Sequence, residues 1–102
     1  MRQLTQKMKV ALIAHFEKGV AIQYLNLTPR QKDIVARVES VYYMYLDDAD
    51  INPFPIFYEM SKLHYKDGYG KGRANACHYA HYDEMLLRYV IENIKEPYIF
   101  RE

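Results

Sequence analysis

The side chains able to do chemistry crowd into two neighbouring segments of the C-terminal half. Cys77-His78-Tyr79-Ala80-His81-Tyr82-Asp83-Glu84 is the richest in ligand-type residues. On a helix, Cys77 and His81 are four apart and His81 and Glu84 three apart, so all three share a face. Thiolate, imidazole and carboxylate together suit zinc, and His64 could bring a fourth ligand. Neither an HExxH pair nor a second cysteine pair accompanies them. The segment therefore reads as a polar helix surface with Cys77 as a small core hydrophobe, and no metal or other cofactor is expected. Just upstream, Gly68-Tyr69-Gly70-Lys71-Gly72-Arg73 opens a helix, where free amides and the helix dipole favour an anion. The P-loop and dinucleotide spacings are both missing, which leaves a solvated connector. No hydroxyl sits in a nucleophile elbow, and a Cys77–His dyad lacks supporting spacing. Asp47, Asp48 and Asp50 lack the glycine and distal glutamate of a calcium loop. The expectation is a protein that is not an enzyme, with no catalytic residue to name.

Composition sets the frame for these residues. The 102 residues predict one domain, 1–102, half apolar and a quarter charged, in the range of a folded globule. A formal charge of +1 gives no global pull toward nucleic acid or an anionic membrane. The longest apolar run, Val10–Ala14, is far too short to cross a bilayer, and no signal-peptide pattern precedes it. One cysteine excludes an intramolecular disulfide, consistent with a soluble protein of a reducing interior.

The periodicity predicts a mainly α fold, with room for one or two short strands, built from two helix-connector-helix motifs packed as one small domain. A first helix is expected over about 3–18 from Leu4, Met8, Leu12 and Phe16, with Gly19 as its stop. Val20–Leu27 fits a short strand or a helix equally. Thr28 as N-cap, Pro29 at the first position and Gln31 three residues on predict a capping box, and a second helix reaching about Leu46. Asn52-Pro53-Phe54-Pro55 then reads as a break. A shorter third helix follows over Ile56–Tyr65, with Phe57, Met60, Leu63 and His64 on one side. The Lys66–Gly72 loop leads to a fourth helix over about Arg73–Lys95, with Ala76, Ala80, Leu87, Val90, Ile91 and Ile94 inward. Tyr98-Ile99-Phe100 forms an extended tail. At an offset of 46, Val41-Tyr42-Tyr43-Met44-Tyr45 through Phe54 lines up with Leu87-Arg88-Tyr89-Val90-Ile91 through Phe100. That echo raises an internal repeat of 1–54 and 55–102, although shared hydrophobic periodicity produces similar matches by itself.

Eleven tyrosines and no tryptophan are unusual for so short a chain. A tyrosine joins a large apolar ring to a polar tip. Tyr42 and Tyr43 are about 100° apart on a helix, so both can hardly face inward. Exposed aromatic rings mark protein contacts. The expected function is a polypeptide-binding groove between the two motifs, lined by Tyr42, Tyr43, Tyr45, Tyr58, Tyr65, Tyr79, Tyr82 and Tyr89. Its partner would be another protein or a peptide, with a second copy among the candidates. The alternative is a nucleic-acid module using Arg30, Lys32, Lys66, Lys71 and Arg73.

Two resemblances bear on this choice. Leu27-Thr28-Pro29-Arg30-Gln31-Lys32-Asp33-Ile34-Val35 resembles the entry to the first helix of some winged helix-turn-helix regulators. In those a tight turn and a recognition helix follow, whereas here the apolar pattern runs on to Leu46 and meets an acidic turn. In length, tyrosine-rich helices such as Val41–Tyr45, and Cys77-His78-Tyr79-Ala80-His81-Tyr82, the chain resembles small orphan proteins of filamentous viruses of hyperthermophilic archaea, of the Acidianus filamentous virus type. That resemblance implies a protein of the host-cell cytoplasm and brings no catalytic residues with it.

Overall fold

Thr5 begins the first helix, α1 (Gln6–Phe16), by accepting a hydrogen bond from the Met8 amide at 3.2 Å. The computed structural model describes residues 4–67 and 73–99, with side chains for 4–65 and 76–99. The glycine-rich anion loop at 68–72, the side chains of Lys66 and Arg73, and Phe100 lie outside the described residues. Met8, Ala11, Leu12, His15 and Phe16 form the buried face of α1. The expected stop is in place: Gly19 takes φ +76, and the Val20 amide donates to the Ala14 carbonyl at 3.0 Å. Gly19 has a second reason to lack a side chain. A Cβ there would meet the Tyr98 ring at 2.8 Å. That ring is held in place because the Tyr98 amide donates to the Phe16 carbonyl at 2.7 Å.

No strand occurs among the described residues, so the short strands allowed at 20–27 and in the tail are corrected. The first segment holds one 3-10 turn, Ile22–Tyr24, flanked by extended residues. Helix α2 (Pro29–Asp47) starts on the expected capping box, Thr28 Oγ1 accepting from the Gln31 amide and Gln31 Oε1 from the Thr28 amide. It ends at the acidic turn, where Asp48 Oδ1 accepts from the Asp50 amide. Helix α3 (Pro53–Asp67) begins earlier than the sequence suggested. Asn52 Oδ1 accepts from the Phe54 amide, and Pro53 and Pro55 occupy the first turn, where amides have no intrahelical partner. The break between the helices therefore covers 48–52, and of Asn52-Pro53-Phe54-Pro55 only Asn52 belongs to it. Helix α4 (Arg73–Asn93) completes the set.

The four helices share one core, with Met8, Leu12 and Phe16 of α1, Val35, Val38 and Val41 of α2, and Leu86, Leu87 and Val90 of α4 at its centre. Helix α3 lies to one side, against α4 and α2. It inserts one residue per turn: Pro53, Phe57, Ser61 and Tyr65 are buried. The expected inward placement of Met60 and Leu63 is corrected, since both are exposed. The mainly α, single-domain expectation stands. At the offset of 46 the end of α2 at Asp47 falls on the end of α4 at Asn93, whereas the helix starts differ by 47 and 44 and the ends of α1 and α3 by 51.

Gly19→Ala is expected to cost roughly 1–2 kcal/mol from its left-handed backbone alone, read as a lowered Tm by circular dichroism. In a Tyr98→Ala background the penalty should shrink, because the ring that the new methyl meets is gone. Equal penalties in both backgrounds would show that the ring does not press on residue 19.

Candidate functional site

The carboxylate of Asp83 is fully buried in the middle of the apolar stripe of α4, between Ala80 and Leu87. An isolated charge there would be very unfavourable. Three neighbours compensate it. Arg37 Nη1 on α2 donates to Asp83 Oδ2 at 2.8 Å, and the Tyr65 hydroxyl on α3 donates to Oδ1, also at 2.8 Å. The Ser61 hydroxyl, which accepts from Arg37 Nη1, is close enough to the carboxylate to favour its charged form as well. Arg37 is itself multiply held, donating through Nη2 to the Tyr65 oxygen at 3.1 Å and through Nη1 to Ser61 Oγ at 3.3 Å. Its Nε lies 3.5 Å from Asp33 Oδ2, one turn earlier on α2. Burial pushes the Asp83 carboxyl above its ordinary range, with the Arg37 charge pulling the other way. Desolvation opposes the Arg37 charge, but Asp83 and Tyr65 together hold the guanidinium in its charged form. Burial also pushes the Tyr65 phenol up, so the hydroxyl keeps its proton and donates it.

This cluster forms the foundation of a cleft of about 370 Å³ lined by Thr28, Arg30, Gln31, Ile34, Tyr65, Tyr79 and Tyr82. The cleft opens where the N-terminus of α2 meets the α3–α4 pair, so it lies between the two halves. The Arg30 guanidinium stacks on the Tyr79 ring, 4.9 Å from its centroid, and the Tyr65 and Tyr79 rings are 5.1 Å apart. A stacked guanidinium presents donors in a fixed plane beside an aromatic face.

The eight tyrosines singled out in the sequence do not form one surface. Tyr65, Tyr79 and Tyr82 converge on the cleft. Tyr42 and Tyr65 are buried, which corrects their assignment as open contact residues. Tyr42 packs edge-on against Phe16 at 5.4 Å and belongs to the core, while Tyr65 serves the carboxylate. Tyr43, Tyr45 and Tyr89 are half-buried against the core, and the Tyr43 hydroxyl donates to the Tyr98 carbonyl at 3.2 Å. Tyr58 lies on a different face, its ring 4.9 Å from that of His81. A hydrogen bond with Cys77 is the largest influence raising its phenol. The most exposed described tyrosines are Tyr24, 75% exposed, and Tyr98, 48% exposed, neither of which was on that list. Tyr24 borders a second, apolar groove of about 340 Å³ along α1, with Val10 and Val20.

Other chemistry weighed in the sequence finds little geometry. Among the described residues no three His, Cys, Asp or Glu side chains gather as a metal would require. No described helix is long and apolar enough to cross a membrane. The Asp83–Arg37 pair was missed in the sequence, yet its signal was present. An acid at the centre of Ala76, Ala80, Leu87 and Val90, and an arginine between Ile34 and Val41, both occupy core positions and imply that each is the other's partner.

The chain matches no family model, no curated protein and no solved structure.

Arg37→Met should destabilise by about 3–5 kcal/mol near neutral pH, because it strands a buried carboxylate. The loss should ease on acidification. A carboxyl whose folded pKa is raised binds its proton more tightly in the folded state, so its stabilising contribution is full below the ordinary value of 3.8 and is lost as pH rises through the folded value. Urea titrations from pH 4 to 8 would test this, and Asp83→Asn should remove the slope.

Proposed function

We propose that the chain is a non-enzymatic interaction module that takes an extended segment of another polypeptide into the cleft between its two halves. The observation that supports this best is the convergence of Tyr65, Tyr79 and Tyr82 with Arg30 around one cleft at the α2 N-terminus. Peptide sites between helices offer aromatic walls for side chains and a few polar groups for the backbone. Tyr79 and Tyr82 supply the walls, Thr28 and Gln31 the polar rim, and Arg30 a partner for an acidic side chain or a terminal carboxylate. The ends of α2 and α4, 46 residues apart, are in keeping with two similar motifs meeting at the cleft. A host-cell interior suits such a module and goes with the proposal.

The nucleic-acid alternative draws less support from the side chains it would use. Lys32 Nζ donates to the Gln23 carbonyl at 2.9 Å, and Arg30 lies over Tyr79. Lys66, Lys71 and Arg73 lie outside the described side chains.

A library of displayed extended peptides, panned against the protein, should return binders whose contacts shift the amide resonances of residues 28–34 and 79–82. Tyr82→Ala and Tyr79→Ala should each weaken those binders roughly tenfold, an effect of the size expected for an aromatic anchor. Binders that map elsewhere would count against the cleft. Salt-sensitive retention of an oligonucleotide, with no peptide recovered, would favour the alternative.

A further inference from the structure

The cleft between α2 and the α3–α4 pair presents donors and keeps its acceptors engaged. Thr28 Oγ1 accepts from the Gln31 amide and Gln31 Oε1 from the Thr28 amide, so the capping box uses the acceptor of each side chain. The Thr28 carbonyl accepts from the Lys32 amide at 2.9 Å. The Tyr65 oxygen accepts from Arg37 Nη2 while its own proton goes to Asp83. The other polar side-chain groups of the lining are the Arg30 guanidinium, Gln31 Nε2 and the hydroxyls of Tyr79 and Tyr82. A guanidinium and an amide nitrogen only donate, and a phenol donates readily. No acidic side chain is among the described residues that line the cleft, and the Asp83 carboxylate behind it is matched by Arg37 and Tyr65. A ligand that satisfies such a wall is rich in acceptors and negatively charged.

The surroundings of Arg30 narrow the class of anion. Its guanidinium stacks at 4.9 Å on Tyr79, whose ring is 5.1 Å from that of Tyr65. Ile34 and Tyr82 add to this apolar surround. A stacked guanidinium holds its donors in one plane, which suits the two oxygens of a carboxylate. Phosphate groups are normally met by clusters of arginine rather than by one. The ligand therefore carries a carboxylate and an apolar body close together. In an extended chain, successive side chains point to opposite sides, and the next on the same side is about 7 Å away. An internal acid placed on Arg30 would turn its immediate neighbours away from the rings. At a chain end the carboxylate and the last side chain leave the same Cα, so one residue meets the guanidinium and the rings together. A cleft of about 370 Å³ is near the lower end of small-ligand sites, a size that suits a terminal residue or two.

Resting on the reading of this cleft as a polypeptide site, we propose that it captures the C-terminal end of its partner. The terminal carboxylate pairs with Arg30 and Gln31, and an aliphatic or aromatic last side chain lies against Tyr79 and Tyr82. Arg30 sets the specificity for a free chain end, and Tyr79 keeps its guanidinium in place.

Three mixtures of acetylated hexapeptides separate the possible sources of the carboxylate. The first has random sequence without acidic residues and a free C-terminus. The second is the same mixture as C-terminal amides, and the third is the amides with one internal glutamate. Each is titrated into the full chain while the amide resonances of residues 28–34 and 79–82 are followed. The free acids should bind at least about tenfold more tightly than either set of amides, the difference between a charge-assisted and a neutral hydrogen bond. Arg30 is exposed, so Arg30→Gln should keep the parent's melting curve while bringing the acid-to-amide ratio close to one. Arg30→Lys, which keeps the charge without the planar fork, should retain part of the preference. Acids and amides that bind equally at these residues overturn the proposal and leave the cleft reading intact. So does an internal glutamate bound as tightly as a free end. N-acetylphenylalanine bound as tightly as the hexapeptides would assign the site to a small carboxylic acid and overturn the polypeptide partner as well. Shifts at none of these residues with any mixture would defeat the cleft reading itself, and this proposal with it.

Discussion

A single buried carboxylate determines how three of the four helices meet. Asp83 lies in the apolar face of α4 with no access to water, so folding must deliver compensating donors to a fixed point. Arg37 comes from α2, and Tyr65 and Ser61 from α3. Each helix can satisfy this demand in only one axial and rotational position. An apolar residue in place of Asp83 would tolerate sliding; a carboxylate does not, because a missed hydrogen bond there costs as much as a large packing defect. Apolar burial drives the collapse of α1, α2 and α4, and the polar cluster chooses the register in which α3 docks.

That choice has consequences at both surfaces of α3. Tyr65 must turn inward to donate to Asp83, which brings Phe57 and Ser61 inward with it at four-residue intervals. Ser61 is small enough to let the Arg37 guanidinium pass alongside. Met60 and Leu63 are then carried outward by the same rotation, although their hydrophobicity alone would bury them. On the other side, the fixed Tyr65 ring supports Tyr79, on which Arg30 stacks. The wall of the cleft is held by hydrogen bonds rather than by packing alone. Such preorganisation lowers the ordering cost of binding.

Local signals were legible in the sequence where they act locally. The Thr28–Gln31 capping box, the Gly19 stop and the acidic turn after α2 depend on residues within a few positions of each other, and they stand as read. The start of α3 was misplaced because two prolines suggest a break, while a capping asparagine before them makes the same prolines a helix entry. The face of α3 was misread because hydrophobicity was counted without the buried charge that sets its rotation. The tyrosines were misjudged for a related reason. Their number pointed to an uncovered surface, yet a phenol can also be a buried donor, as Tyr65 is, or a core ring with its tip at the edge, as Tyr42 is. Only three of the eight named rings reach the cleft.

The first half of the chain carries a polar bridge of its own, and it also acts on α2. His15 is buried on α1, where its Nδ1 donates to the Val20 carbonyl at 2.7 Å, a carbonyl oxygen being only an acceptor. Its Nε2 meets Glu39 Oε1 on α2 at 2.8 Å. Ser61 stands 46 residues later, on α3, and also takes part in a polar contact that reaches α2. His15 on α1 and Ser61 on α3 thus each make a polar contact with α2, one at Glu39 and the other at Arg37, two residues apart. Helix α2 is thereby pinned from both sides, by α1 through an acid and by α3 through a base. A helix fixed at two such points along its middle has little freedom to shift, and its N-terminus, with Thr28, Arg30 and Gln31, is presented at a constant position beside Tyr79 and Tyr82. The charged residues behind the cleft, Arg37 and Glu39, tie α2 to its neighbours and so set where the wall of the cleft stands.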